Sequence, residues 1–114
     1  MDFETARQFV LGQTSPDSDQ RPDTFIACLR QGRPPVPGQV TSLLLALKVI
    51  FEGLKQEPSL ERSLVQSLLV LIKDGPDLFQ AGSYQGVSWP PLLEDDLGRL
   101  SRAAVSIIKA EWQD

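Results

Sequence analysis

The chain contains no histidine and a single cysteine, Cys28, among its 114 residues. Without histidine, the commonest general base and the commonest metal ligand are missing, and neither a Ser-His-Asp nor a Cys-His mechanism can be assembled within one chain. One cysteine excludes an intrachain disulfide and a thiolate zinc site, and it suits a reducing compartment. Long apolar runs are missing as well. Even a run such as Leu43–Leu47, unsurpassed in length here, falls far below the roughly 18–20 residues that span a bilayer. The opening MDFETARQFV carries acids where a secretory signal carries bases, so the expected location is cytoplasmic. Basic charge is in deficit, with 11 Lys and Arg against 15 Asp and Glu and a net charge of −4, which argues against nucleic acid or an anionic membrane as partner.

What the chain does have is apolar residues, 41% of the total, enough for the core of one domain covering residues 1–114. The most informative stretch is Val40–Leu54, VTSLLLALKVIFEGL, which is apolar almost all the way round a helix and therefore has to be wrapped by other elements. Its polar positions Thr41, Lys48, Glu52 and Lys55 fall on one narrow line, and Leu45 falls on that line too.

The remaining helices assemble around it. Asp2 caps a first helix over about 3–12, which Gly12 ends. A second runs to about Gln31, with Asp19 as cap and Pro22 in its first turn. Arg33-Pro34-Pro35-Val36-Pro37-Gly38 holds three prolines in four residues and reads as a stiff extended connector. The central helix fills about 38–56. Ser59 caps a fourth helix that runs to about Lys73, with Glu61 in its first turn, and Asp74-Gly75-Pro76-Asp77 breaks it. One short turn over Pro76–Ala81 stops at Gly82, and the loop SYQGVSWPP leads to a last helix from about Pro91 to Trp112. No period-two strand pattern appears, so the expected fold is all-α, a compact bundle of about five helices around the 38–56 helix.

Candidate sites are few. Glu94-Asp95-Asp96 is the densest acidic cluster. Neighbouring residues on a helix point about 100° apart, so this triplet suits the dipole at a helix start better than it suits one metal ion. Cys28 has no base beside it in sequence and reads as a buried thiol. Tyr84 and Trp89, in the loop before Pro90-Pro91, form either a docking surface or a lid folded back on the bundle. Pro34-x-x-Pro37, with Arg30 and Arg33, reads as a rigid turn or as a proline ligand for an aromatic groove. Leu45, Val70 and Trp112 are apolar residues on otherwise polar faces. If they converge, they mark a partner or dimer face.

The runs RQGRPPVPGQVTSLLLALKVIFEGLK (30–55) and WPPLLEDDLGRL (89–100), with the opening DFETARQFVLGQ, resemble a family of small all-helical cyanobacterial proteins. Some members carry the label dethiobiotin synthetase. That enzyme resembles other P-loop proteins, with GxxxxGK[ST] between a strand and a helix, and no such string occurs here. The resemblance implies a lineage and a cytoplasmic setting and supplies no catalytic residue.

These readings converge on a non-enzymatic helical module that binds another protein, as a regulator or assembly factor, with a second copy of the chain as an alternative partner. Trp89, Tyr84, Leu45, Arg30, Arg33, Val70 and Trp112 are the expected contact residues, and no cofactor or metal is expected. The competing reading is a small-molecule-binding or enzymatic helical domain with a pocket between helices, which would need Asp96 or Glu61 beside a cavity.

Overall fold

A computed structural model describes residues 1–15 and 21–113. At its centre lies helix α3, Gln39–Leu54, with Leu43, Ala46, Leu47 and Ile50 fully buried. The polar line of this helix faces out, and Glu52 on it accepts ion pairs from Lys48 at 3.5 Å and Lys55 at 2.8 Å. Leu45 is on the same exposed line. The all-α bundle read from the sequence is therefore the fold, and the described residues contain no strand.

Helix α1, Phe3–Gln13, starts where Asp2 accepts the Thr5 N–H at 2.8 Å and buries Ala6 and Val10. It runs antiparallel to α3: Gln13 reaches Gln39 at one end, and the Phe3 ring lies against Gly53 at the other. Helix α2 is shorter than expected, Phe25–Arg30, and its cap is Thr24, whose hydroxyl accepts the Ala27 N–H. Asp19, the expected cap, lies outside the described residues. A β-region residue with a short hydroxyl directly before a buried apolar run meets the needs of a cap, so the helix begins after Pro22 rather than around it.

Helix α4, Arg62–Leu69, begins later than a Ser59 cap would place it. Its apolar stripe buries Leu64, Leu68 and, in the next turn, Leu71, while Leu69 is half exposed. The predicted break at Asp74–Asp77 does not occur. Val70–Asp74 forms a π turn, and helix α5, Gly75–Tyr84, continues from it, so one helical rod runs from 62 to 84. The reason is steric. A proline inside an α-helix removes an N–H and collides with the carbonyl four residues back. The wider turn, closed by Gly75 N–H on Val70 O, takes up that mismatch ahead of Pro76 without ending the helix.

The expected stop at Gly82 is not a stop either, because this glycine serves a close approach. A Cβ there would stand 2.5 Å from Cζ2 of Trp89. Helix α6, Leu93–Lys109, buries Leu93, Leu97, Leu100, Ala104 and Ile107. It ends earlier than expected because Ala110 turns left-handed, at φ 57°, and Glu111 N–H closes on Ser106 O at 3.1 Å. Trp112 therefore belongs to a tail that folds back onto α3 and not to the helix. The N-terminal ends of α3 and α6 meet at one groove and their C-terminal ends meet where Trp112 packs on Phe51, so these two helices run parallel. No helix among the described residues is long and apolar enough to cross a membrane.

Candidate functional site

Two segments that look unrelated in sequence, the proline connector and the WPP loop, form the two walls of one groove. The connector is fixed by a buried amide. The Gln39 side chain accepts the Val36 N–H at 3.1 Å and donates to Gln13 Oε1 at 2.8 Å and to Asp23 O at 2.9 Å. Gln13 Oε1 also accepts the Phe25 N–H at 2.8 Å. One side chain thereby ties α1, the start of α2, the connector and α3 together. Gly38, left-handed at φ 84°, turns the chain into α3 with no side-chain cap; glycine takes that conformation without the Cβ penalty.

The opposite wall is held by Trp89. Its indole N–H donates to Phe79 O at 2.9 Å, and its ring stacks on Phe79 with centroids 5.8 Å apart. Trp89 is packed against the core rather than projecting from it, the lid geometry of the two read from sequence. Pro90 and Leu92 follow it and line, with Pro35 and Val36, a groove of about 250 Å³. Val40 and Leu93 also line the groove, and Thr41 and Asp96 supply its polar atoms. Val36 is 43% exposed and Leu92 65%. Asp96 has a side chain only 25% exposed and a long contact of 3.7 Å to Arg99. Glu94 and Asp95, exposed beside it, make no ion pair among the described residues.

The other expected contact residues are dispersed. Tyr84 is the last residue of α5 and the most exposed aromatic, at 88%. Arg33 is spent on the fold: its Nη2 donates to Pro22 O at 2.6 Å and its Nε to Gln31 Oε1 at 2.9 Å. Val70 and Arg30 line a different groove, of about 380 Å³, with Leu11, Thr14 and Ser67. Trp112 packs edge-on against Phe51 at 5.2 Å, under the Lys48 ammonium at 4.1 Å. Leu45 stands one turn before Lys48 on the exposed line of α3. Val70 stands apart from the Phe51–Lys48 surface where Trp112 packs, so the three do not share one groove.

Of the two carboxylates that a ligand pocket would need, Asp96 stands beside a groove. Glu61 is committed to Arg7, and that hydrogen-bonded partner holds its carboxyl below the usual range. Cys28 is buried, and desolvation pushes its thiol up, the opposite of what a nucleophile needs. Among the described residues no three His, Cys, Asp or Glu side chains gather as a metal site. Gln39, Val36 and Leu92 were not singled out by sequence reasoning; the available signal was a polar residue opening an otherwise apolar helix. Comparison with known proteins brings up no matching family model, no matching curated protein and no matching solved structure.

Proposed function

We propose that this chain is a non-enzymatic protein-binding module and that the groove between the connector and the WPP loop is its docking face. One observation carries the reading: Val36 and Leu92, two exposed aliphatic side chains, line the same groove. Single exposed apolar residues mean little, but a pair gathered in one cleft is the form a hot-spot pocket takes. The groove's volume falls below the roughly 300–1,000 Å³ of small-molecule sites, which favours a partner's side chain over a cofactor. Tyr84 is the second proposed contact, and Trp89 acts from beneath by holding its wall in place. The all-helical fold also supports setting aside the dethiobiotin synthetase label, whose phosphate loop needs a strand.

The test is affinity capture from native extract, with identification by mass spectrometry, comparing the wild type with Leu92→Ser and with the remote variant Leu45→Ser. The reading expects a captured protein that Leu92→Ser loses and Leu45→Ser keeps. Equal capture by all three would remove the groove from the function.

A second reading has its own support. The 380 Å³ groove is lined by Thr14, Ser63, Gln66 and Ser67 and bordered by Val70 and Asp74 of the π turn, and π turns are frequent at functional sites. A polar small ligand there would raise the melting temperature of the wild type and not of Ser67→Leu.

A further inference from the structure

We infer that the occupant of the Val36–Leu92 groove is an amphipathic helix of a partner chain, with an apolar residue seated between the walls and an arginine or lysine one turn away on Asp96. The inference rests on the docking reading above and adds the partner's chemistry. Its first leg is charge. Asp96 lines the groove and no Lys or Arg does. The base nearest to it among the described ion pairs is Arg99, at 3.7 Å. A cation arriving from a partner meets a half-buried carboxylate, where screening by salt is weaker than on an open surface. An acidic partner meets a like charge that no base lining the groove offsets.

The second leg is the backbone. An extended peptide binds by adding a strand, which needs a row of free N–H and C=O groups. The two walls contain Pro34, Pro35, Pro37, Pro90 and Pro91, none of which has an N–H. The connector's Val36 N–H is taken by Gln39, and Leu93 N–H is taken by Pro90 O at 3.1 Å. The groove therefore offers side-chain contacts and almost no backbone pairing. A helix, which satisfies its own backbone, loses nothing by docking there, whereas a strand would bury unpaired polar groups. The walls carry no exposed aromatic ring either, since Trp89 is turned onto Phe79, so a polyproline segment lacks the surface it stacks on.

The experiment uses three blocked peptides of about 18 residues, long enough for an alanine-based sequence to be helical in water. The first carries Leu at i and Arg at i+4. The second has Glu in place of Arg, and the third is the first broken by two central prolines. Binding to the full chain is followed by amide chemical shifts of Thr41, Leu92 and Asp96. The expected result is that the Arg helix shifts these amides and binds at least tenfold tighter than the Glu helix. Asp96→Asn should weaken the Arg helix about tenfold, and Leu92→Ser should abolish its binding. Leu92 is exposed and Asp96 half-buried, and circular dichroism verifies that each variant is folded. Equal binding of the Arg and Glu helices, equal binding of the proline-broken peptide, or no binding by any of them would overturn the inference. If capture from extract depends on Leu92 while the peptides fail, docking stands and the basic helix falls; if capture is also independent of Leu92, both fall.

Discussion

Arg7 holds Glu61 by two parallel hydrogen bonds, Nε to Oε1 and Nη2 to Oε2, each 2.8 Å long. This fork joins α1 to the residue that opens α4, across 54 positions of sequence. Planar, bidentate pairing is what arginine does and lysine does not. The hydrogen bonds from Arg7 hold the Glu61 carboxyl below its usual range. A carboxylate whose folded pKa is depressed contributes stability above its unfolded pKa and loses it as pH falls through the folded value. Glu61→Gln should therefore lower the melting temperature at pH 7 by up to about 4 °C, in keeping with an exposed pair in a domain of this size. The difference from wild type should shrink once the pH drops below the ordinary glutamate range near 4.3. Melting curves of both proteins from pH 3 to 7 check this, and a gap that persists at pH 3 would contradict it.

Trp89 and Gly82 form a second fitted pair. The indole occupies the space a Cβ at position 82 would need. Gly82→Ala should cost about 1–3 kcal/mol by displacing the ring, and Trp89→Ala about 2–4 kcal/mol by emptying its seat and losing the indole hydrogen bond to Phe79 O, which keeps the Ser83 hydroxyl. The pair should be strongly non-additive, with Gly82→Ala close to neutral or stabilising once Trp89 is gone. Denaturant unfolding of the two singles and the double measures the coupling. Simple additivity would mean that the ring does not sit on Gly82.

The contrast between these two pairs shows what a sequence discloses. Helix positions were legible wherever apolar residues repeat at 3.6-residue spacing, as in α3, α6 and the Leu64–Leu68–Leu71 stripe, because burial itself writes that period. The Asp2 cap was legible because capping is local. The run through Asp74–Asp77 was not, because Gly-Pro signals a stop at short range and only the surrounding packing decides between a break and a π turn. Gly82 misled for a related reason: a helix end and a close approach both ask for glycine, and the second depends on Trp89, seven residues on. The groove escaped entirely, since Pro35 and Pro90 are brought together by tertiary packing alone. Leu45, Val70 and Trp112 were recognisable as displaced, but displacement carries no information about direction.

Gln39 should behave as a buried amide with every polar atom engaged. Gln39→Ala leaves the Val36 N–H and the Asp23 carbonyl without the partner they have now. Each such bond, part-buried here, contributes about 0.5–1.5 kcal/mol, so a loss of about 1–3 kcal/mol is expected. Gln39→Glu keeps the acceptor for Val36 and loses the donor to Gln13 and Asp23, so it should be no milder at neutral pH. The distinctive readout is local. Hydrogen exchange of the Val36 amide should quicken far more than that of Leu47, which lies deep in the same helix. Uniform acceleration would mean that Gln39 supports the whole fold and not the connector.

The turn at Ala110 offers a change that should stabilise. Alanine there takes a left-handed conformation, φ 57° and ψ 28°, which costs an L-residue about 1–2 kcal/mol, in order to swing Trp112 onto Phe51 and under Lys48. Glycine adopts it freely and is the usual residue after a helix end, but it pays back about 0.5–1 kcal/mol in the entropy of the unfolded chain. Ala110→Gly should thus gain up to about 1 kcal/mol and raise the melting temperature by a few degrees. Ala110→Val should do the reverse, since a β-branched side chain tolerates that φ worst. Tryptophan fluorescence in a Trp89→Phe background, where Trp112 is the remaining emitter, reports whether the tail is still seated: the emission maximum should be unchanged in Ala110→Gly and shifted to the red in Ala110→Val. A red shift in the glycine variant would show that the left-handed turn is not what holds the tryptophan against α3.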